Sequence, residues 1–186
     1  MNFISLLINK NLKSFMLNVT LRKDKFILLL NNINYYIFFK ILKFSSLFKL
    51  ETLSDLTVSH YPDNVFEYEL NYFLLSYKLN FRVWSKLYFR KDSLIVSLIE
   101  LYINANWLER ELFDLFGVKF IYHNDLRRIL TDYGFIGHPM LKLFPLVGFL
   151  ELRYDDIISK IIKETVELMQ AYRIFSFINP WNFWHK

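Results

Sequence analysis

The chain has no cysteine, only four glycines and four prolines, and no uncharged apolar run long enough to cross a bilayer. Each lack excludes something. Without thiols there is no disulfide, no thiolate zinc site and no thiolate-bound iron–sulfur cluster. Any redox chemistry that involves this chain is therefore expected on another polypeptide or on a bound cofactor. The longest apolar stretch, Phe26 to Phe39, is broken by Asn31, Asn32 and Asn34, so no membrane span is expected. No GxGxxG string or phosphate loop occurs, which argues against binding nucleotide or flavin by those devices. Histidine is sparse too. His123 and His138 with Asp125 and Asp132 fit no metal-ligand spacing, and bonding to loop backbone is the expected role. His60 and His185 have no constellation around them, and the serines and threonines near histidine suggest no nucleophile triad.

What is present is apolar and aromatic. Hydrophobic residues make up 54% and aromatic residues 19% of 186 positions, too much for a disordered chain. That much aromatic surface is hard for a small monomer to hide, which points to burial against partners. The 20 Phe and 12 Tyr, with many Ile, Asn and Lys, are what an AT-rich genome encodes, so organelle encoding is expected. Charge is uneven. Lys10, Lys13, Arg22, Lys23, Lys25, Lys40, Lys43 and Lys49 face one acid, Asp24, in residues 1–50. Such a stretch suits RNA, an anionic membrane, an acidic neighbour or plain solvent equally well. Residues 1–23 lack acids but hold a single arginine, a poor match to a transit peptide.

Three parts follow from the patterning: a variable basic arm over 1–24, an α+β body over 25–165 and an extended aromatic tail over 166–186. Lys25 to Leu50 has no clear period, so helix and strand compete there. Phe66, Tyr68, Leu70 and Tyr72 alternate with polar residues and predict a strand, as do Phe81, Val83, Leu87 and Phe89. The connection Leu74 to Asn80 suits antiparallel pairing. Leu94 to Tyr102 reads as a buried strand or a helix. Asn104 or Asn106 can cap a helix whose apolar positions are Ala105, Leu108, Leu112, Leu115 and Phe116, ended by Gly117 in a left-handed conformation. Val118 to Tyr122 then reads as a strand and Leu126 to Leu130 as a helical turn. Leu150, Leu152 and Tyr154 predict a last strand. Ile157, Ile158, Ile161 and Ile162 are spaced for a helix but branched for a strand. Elements do not alternate regularly, so the class is α+β, with a mainly antiparallel sheet and helices packed on it.

The densest functional stretch is ANWLERELFDLFGVKF, then IYH, then NDLRRILTDYGFIGHP, over residues 105–139. Glu109 and Asp114, with Arg110 between them, place charge on a helix whose other face is apolar. Arg127 and Arg128 can make bidentate bonds to carboxylates, with Asp125, Asp132, Glu109 and Glu111 as candidate partners. Such networks more often fix a loop or pair one polypeptide with another than catalyse.

These strings resemble the 30-kDa subunit family of respiratory complex I. The resemblance rests on Glu109-Arg110-Glu111, Asp114, Phe116-Gly117, the run Asp125 to Phe135, and Gly137-His138-Pro139. It extends more loosely to Leu53–Pro62, to the strand pair at 66–89, to Phe144-Pro145-Leu146, to Glu151–Asp156 and to Pro180-Trp181. Two features depart: Leu141 and Leu143 flank Lys142 where the family carries an arginine and an aspartate, and Thr165 replaces a proline.

The resemblance implies a cofactor-free subunit of the matrix-facing peripheral arm of NADH:ubiquinone oxidoreductase. In such an assembly flavin and iron–sulfur clusters reside in partner subunits, and electron transfer to ubiquinone is coupled to proton translocation. Implied partners are the large subunit of the quinone site and neighbouring iron–sulfur subunits, with no nucleic acid. The implied place is the mitochondrial inner membrane. No catalytic, cofactor or metal residue is expected in the chain itself. The expected interface frame is Glu109, Arg110, Glu111, Asp114, Gly117, Asp125, Arg127, Arg128, Asp132, Tyr133, Gly134, Gly137 and His138. The basic first fifty residues motivate a rival reading as an organellar RNA-binding or ribosomal protein, and Glu109, Glu111 and His138 motivate a hydrolase.

Overall fold

The computed structural model describes residues 16–22, 25–30, 34–170, 173 and 175. Most of the aromatic tail, with Trp181, Trp184 and His185, and residues 1–15 of the basic arm therefore lie outside the described residues. The chain divides into two compact units between Phe144 and Pro145, not at the 24/25 and 165/166 boundaries that the patterning suggests.

The first unit is built on a five-stranded sheet of order β1-β2-β5-β4-β3. Its strands are β1 (Met16–Arg22), β2 (Lys25–Leu30), β3 (Thr52–His60), β4 (Tyr68–Ser76) and β5 (Phe81–Phe89). β4 sits antiparallel between β3 and β5, while β2 runs parallel to β5 and carries β1 as an antiparallel edge. Part of the expected basic arm is thus strand β1. The alternation that predicted β4 and β5 holds because Leu70, Tyr72, Leu74, Val83 and Leu87 all point to one buried face. β3 escapes a period-two reading because its register shifts between Leu53 and Asp55.

Helix α1 (Tyr35–Phe44) lies on the buried face, with Tyr35, Phe38, Phe39 and Leu42 inward and Phe39 against the Tyr72 ring at 4.6 Å. Helix α2 (Ala105–Phe116) adds Ala105 and Leu112 to the same core. Asn104 occupies the cap position of α2, but its side chain donates to the Leu53 carbonyl instead of capping. Between the sheet and α2 the apolar run Leu94–Tyr102 is neither a long strand nor a helix. It holds only the two-residue β6 (Ile95–Val96), parallel to β7 (Phe120–Ile121), and then turns. Leu98, Leu101 and Tyr102 are buried there, so apolarity reflected depth, not period.

The opposite face of the sheet is polar yet packed. Lys86 bridges Glu69 at 2.7 Å and lies over the Trp84 ring, whose indole N–H donates to Asn71 Oδ1 at 2.8 Å. Phe73 stacks on Trp84 at 5.4 Å.

The second unit is a hairpin of β8 (Leu150–Asp155) and β9 (Lys160–Thr165), tied by Arg153 to Glu164 at 2.8 Å. β-Branching prevails over helical spacing for Ile161 and Ile162, while Ile157 and Ile158 fall in the turn. Among the described residues no helix is long and apolar enough to cross a membrane.

Candidate interaction site

The site grows from helix α2. Its stripe of Ala105 and Leu112 fixes which way the helix faces, and that orientation turns two carboxylates inward. Glu109 and Asp114 are both fully buried, so the charge the sequence places on this helix is turned inward at these two positions. Five residues apart on a helix of about 3.6 residues per turn, they point to different places.

Glu109 faces the turn before α2. It accepts the Ser97 hydroxyl at 2.5 Å and the Leu98 N–H at 2.8 Å. Burial pushes its carboxyl up to about 7, and those two bonds only partly oppose the rise. It pairs with neither arginine. Beside it, Tyr35 donates to the Val96 carbonyl at 2.8 Å.

Asp114 faces the segment after β7. Its Oδ2 accepts the backbone N–H groups of Ile129, Leu130 and Thr131 at 3.1, 2.7 and 2.9 Å. Its Oδ1 takes the Thr131 hydroxyl at 2.6 Å and the Arg128 guanidinium at 3.0 Å. Burial alone would raise this carboxyl, but the Thr131 hydroxyl and the three N–H groups outweigh it and hold it at about 2. This also explains why Leu126 to Leu130 is not a helical turn. The N–H groups that would close such a turn serve a carboxylate instead.

Further anchors hold the rest of the segment. Arg128 donates to the Gly137 carbonyl at 2.9 Å. His138 meets the Asp114 carbonyl through Nδ1 at 2.9 Å. Met140 N–H reaches Leu115 O at 3.1 Å, and Lys142 N–H reaches His60 Nδ1 at 3.1 Å. His60, given no role from sequence, is thus a post for the far end of the segment. Burial lowers its pKa, which keeps the ring neutral and Nδ1 able to accept. Gly117 ends α2 at φ 76°, and any Cβ there would lie 2.7 Å from the His138 ring. Gly137, at φ 107°, leaves room for Phe144 in the same way.

The remaining expected residues are peripheral. Arg127 pairs with Asp125 at 2.7 Å in solvent, and Arg110 donates to the Arg127 carbonyl while lying over the Trp107 ring. His123 accepts the Asp125 N–H on Nδ1. Glu111 is half-buried, and Asp132 and Gly134 are exposed; Asp132 forms no ion pair among the described residues, so it is not an arginine partner as expected. Between its anchors the segment displays apolar side chains outward: Tyr133 is fully exposed, Ile136 is 84% exposed and Leu143 78%. Leu130 and Met140 are more than half exposed beside them. Among the described residues no group of histidines and acids is arranged to hold a metal ion.

Known proteins share this arrangement of sequence. The family model described as respiratory-chain NADH dehydrogenase, 30 Kd subunit, matches residues 32–150, which span the whole anchored segment. The chain is 46% identical over 154 residues to NADH-ubiquinone oxidoreductase subunit 9 of Acanthamoeba castellanii, covering 83% of this chain and 78% of the relative. It is 46% identical over 133 residues to a subunit of the NADH-quinone oxidoreductase of Rhodobacter capsulatus, covering 72% and 67%. Among solved structures, a trypsin-resistant fragment of Nqo5 superposes with a TM-score of 0.54 at 22% identity, over 68% of this chain and 100% of the fragment. A chain of the archaeal membrane-bound sulfane sulfur reductase superposes with a TM-score of 0.59 at 20% identity, over 70% and 76%. At that identity the two structures speak for the fold alone. None of these relatives lends support to an RNA-binding reading.

Proposed function

Because the chain belongs to the 30 Kd subunit family of the respiratory-chain NADH dehydrogenase, we propose that its anchored segment 125–144 is the frame on which sibling subunits dock. The chain is a subunit of NADH–quinone oxidoreductase, complex I, and other subunits of that complex are its partners. Its own part in the reaction is positional. It brings no thiolate for a cluster, and the redox groups, flavin and iron–sulfur clusters, belong to its partners. The large subunit that shapes the quinone pocket is the main occupant of the frame, with iron–sulfur subunits alongside, on the matrix side of the mitochondrial inner membrane. The gene is mitochondrial. By holding partner residues within tight tolerance, the frame supports electron transfer to ubiquinone and the proton translocation coupled to it.

One observation carries this reading. A buried carboxylate spends its whole acceptor capacity on a loop whose outward side chains are apolar and uncovered. A loop that only joined two elements needs no such anchorage, and soluble surfaces rarely leave Tyr133, Ile136 and Leu143 together in water.

Arg127→Ala tests it. The side chain is 73% exposed and its pair with Asp125 is solvated, so the fold loses little. Native electrophoresis of membranes carrying the variant is expected to show less assembled complex I. Normal assembly removes Arg127 from the interface.

A further inference from the structure

Helix α1 is apolar on two sides. The inner side, Tyr35, Phe38, Phe39 and Leu42, is covered by the sheet. The outer side carries Ile37, Ile41 and Phe44 at i, i+4 and i+7, exposed at 49, 36 and 69%, with Leu47 half exposed just beyond the helix. At about 100° per residue these three line one ridge on the side away from the core. A helix with two apolar faces is built to lie between two layers, and the described residues supply only one.

The charge around the ridge selects the second. Residues 35–50 hold Lys40, Lys43 and Lys49 and no acid. Lys43 is turned inward, donating to the Leu101 carbonyl and lying over the Tyr102 ring. Lys49 is half-buried. Lys40 is exposed one turn from Ile37 and Phe44, and it has no ion pair among the described residues. Farther round the same flank, Glu100 is engaged by the Tyr36 hydroxyl at 2.8 Å. Among the described residues, the unpaired charge next to the ridge is therefore Lys40, with the Glu100 carboxylate farther round the flank.

We propose that the Ile37–Ile41–Phe44 ridge is a second docking surface, occupied by an amphipathic helix of another complex I subunit that carries a carboxylate opposite Lys40. Ridge side chains at these spacings seat in the grooves of a facing helix at an interaxial distance of about 8 to 10 Å. A side chain on that helix's flank then lies within reach of Lys40. A lipid surface fits less well, since anionic membranes are held by clusters of several basic residues and this ridge has one free lysine. The proposal rests on membership in the complex but not on the 125–144 frame, so either surface can fail without the other.

Purified intact complex I is treated with a zero-length carbodiimide cross-linker, and in parallel with an amine-acylating reagent, and Lys40 is followed by mass spectrometry. Lys40 is expected to join a Glu or Asp of another subunit, on a segment whose apolar residues recur at helical spacing. Its acylation is expected to be slowed about tenfold or more relative to the same complex unfolded in denaturant, as for an amine held in a closed contact. Acylation at the unfolded rate overturns the proposal. So does protection with no cross-link, with a link only inside this chain or to a second copy, or with a partner segment lacking helical spacing. Ile41→Asp gives an independent reading: complex carrying it is expected to lose the Lys40 cross-link, and an unchanged yield counts against the ridge.

Discussion

Two buried acids on one helix are shifted in opposite directions, and surroundings decide which way each goes. Asp114 is ionised because its partners are all donors and one is a cation. Removing it leaves three N–H groups and a guanidinium without an acceptor, so Asp114→Ala is expected to cost about 3 to 5 kcal/mol in urea unfolding. Its depressed pKa means that the ionised carboxylate's share of this, about 2 kcal/mol at 1.36 kcal/mol per pKa unit, is complete above about 3.8 and is lost as pH falls through about 2. Glu109 runs the other way. Between about 4.5 and 7 the folded chain keeps a proton that the unfolded chain has released, so stability falls as pH rises through that window. The expected loss is about 3 kcal/mol at 1.36 kcal/mol per pKa unit. Glu109→Gln keeps one acceptor for Leu98 N–H and offers a donor to Ser97. It is expected to flatten the slope between pH 5 and 7 while native circular dichroism persists; an unchanged slope assigns the pH dependence elsewhere.

At the scale of elements, what was legible followed from repeated pattern. β4 and β5 read correctly because burial of one face imposes a period of two, and α2 because its apolar stripe and Gly117 mark its face and its end. What was missed depends on contacts distant in sequence. The 126–130 segment has helix-like residues, yet the N–H groups of Ile129, Leu130 and Thr131 answer Asp114, fifteen to seventeen residues back. Charge on an amphipathic helix does not say which carboxylates turn inward, so the burial of Glu109 and Asp114 had no local signal. His60 reaches a partner 82 residues away, beyond any local signal. The arginines and glycines of the frame were legible as a set, but their division into half-buried Arg128 and solvated Arg127 was not. Gly117→Ala tests the joint between α2 and the frame. The left-handed backbone costs about 1 to 2 kcal/mol for a residue with a Cβ, and displacement of His138 adds to it. A lowered unfolding midpoint beyond that range is expected, and a change under about 0.5 kcal/mol excludes the contact.

For the molecule as a whole, stability is unevenly spread. The sheet unit has one contiguous core, whereas Leu150, Leu152, Tyr154 and Ile161 of the β8–β9 hairpin are each more than half exposed. Two-stranded hairpins are marginal in water. Amides of 150–165 in the isolated chain are therefore expected to exchange hydrogen far faster than those of β4 and β5. Equal protection contradicts this division. The many uncovered aromatic and aliphatic side chains of both units are what the composition forecast for a chain whose surface is completed by others.

The 125–144 frame, as proposed, is a contact surface whose shape is set before docking. Hydroxyl-radical footprinting of the isolated chain and of assembled complex I addresses it directly. Tyr133, Ile136, Met140 and Leu143 are expected to oxidise readily in the isolated chain and to be shielded in the complex, while core Phe38 and Tyr72 stay protected in both. Equal oxidation of the four in both states contradicts the account.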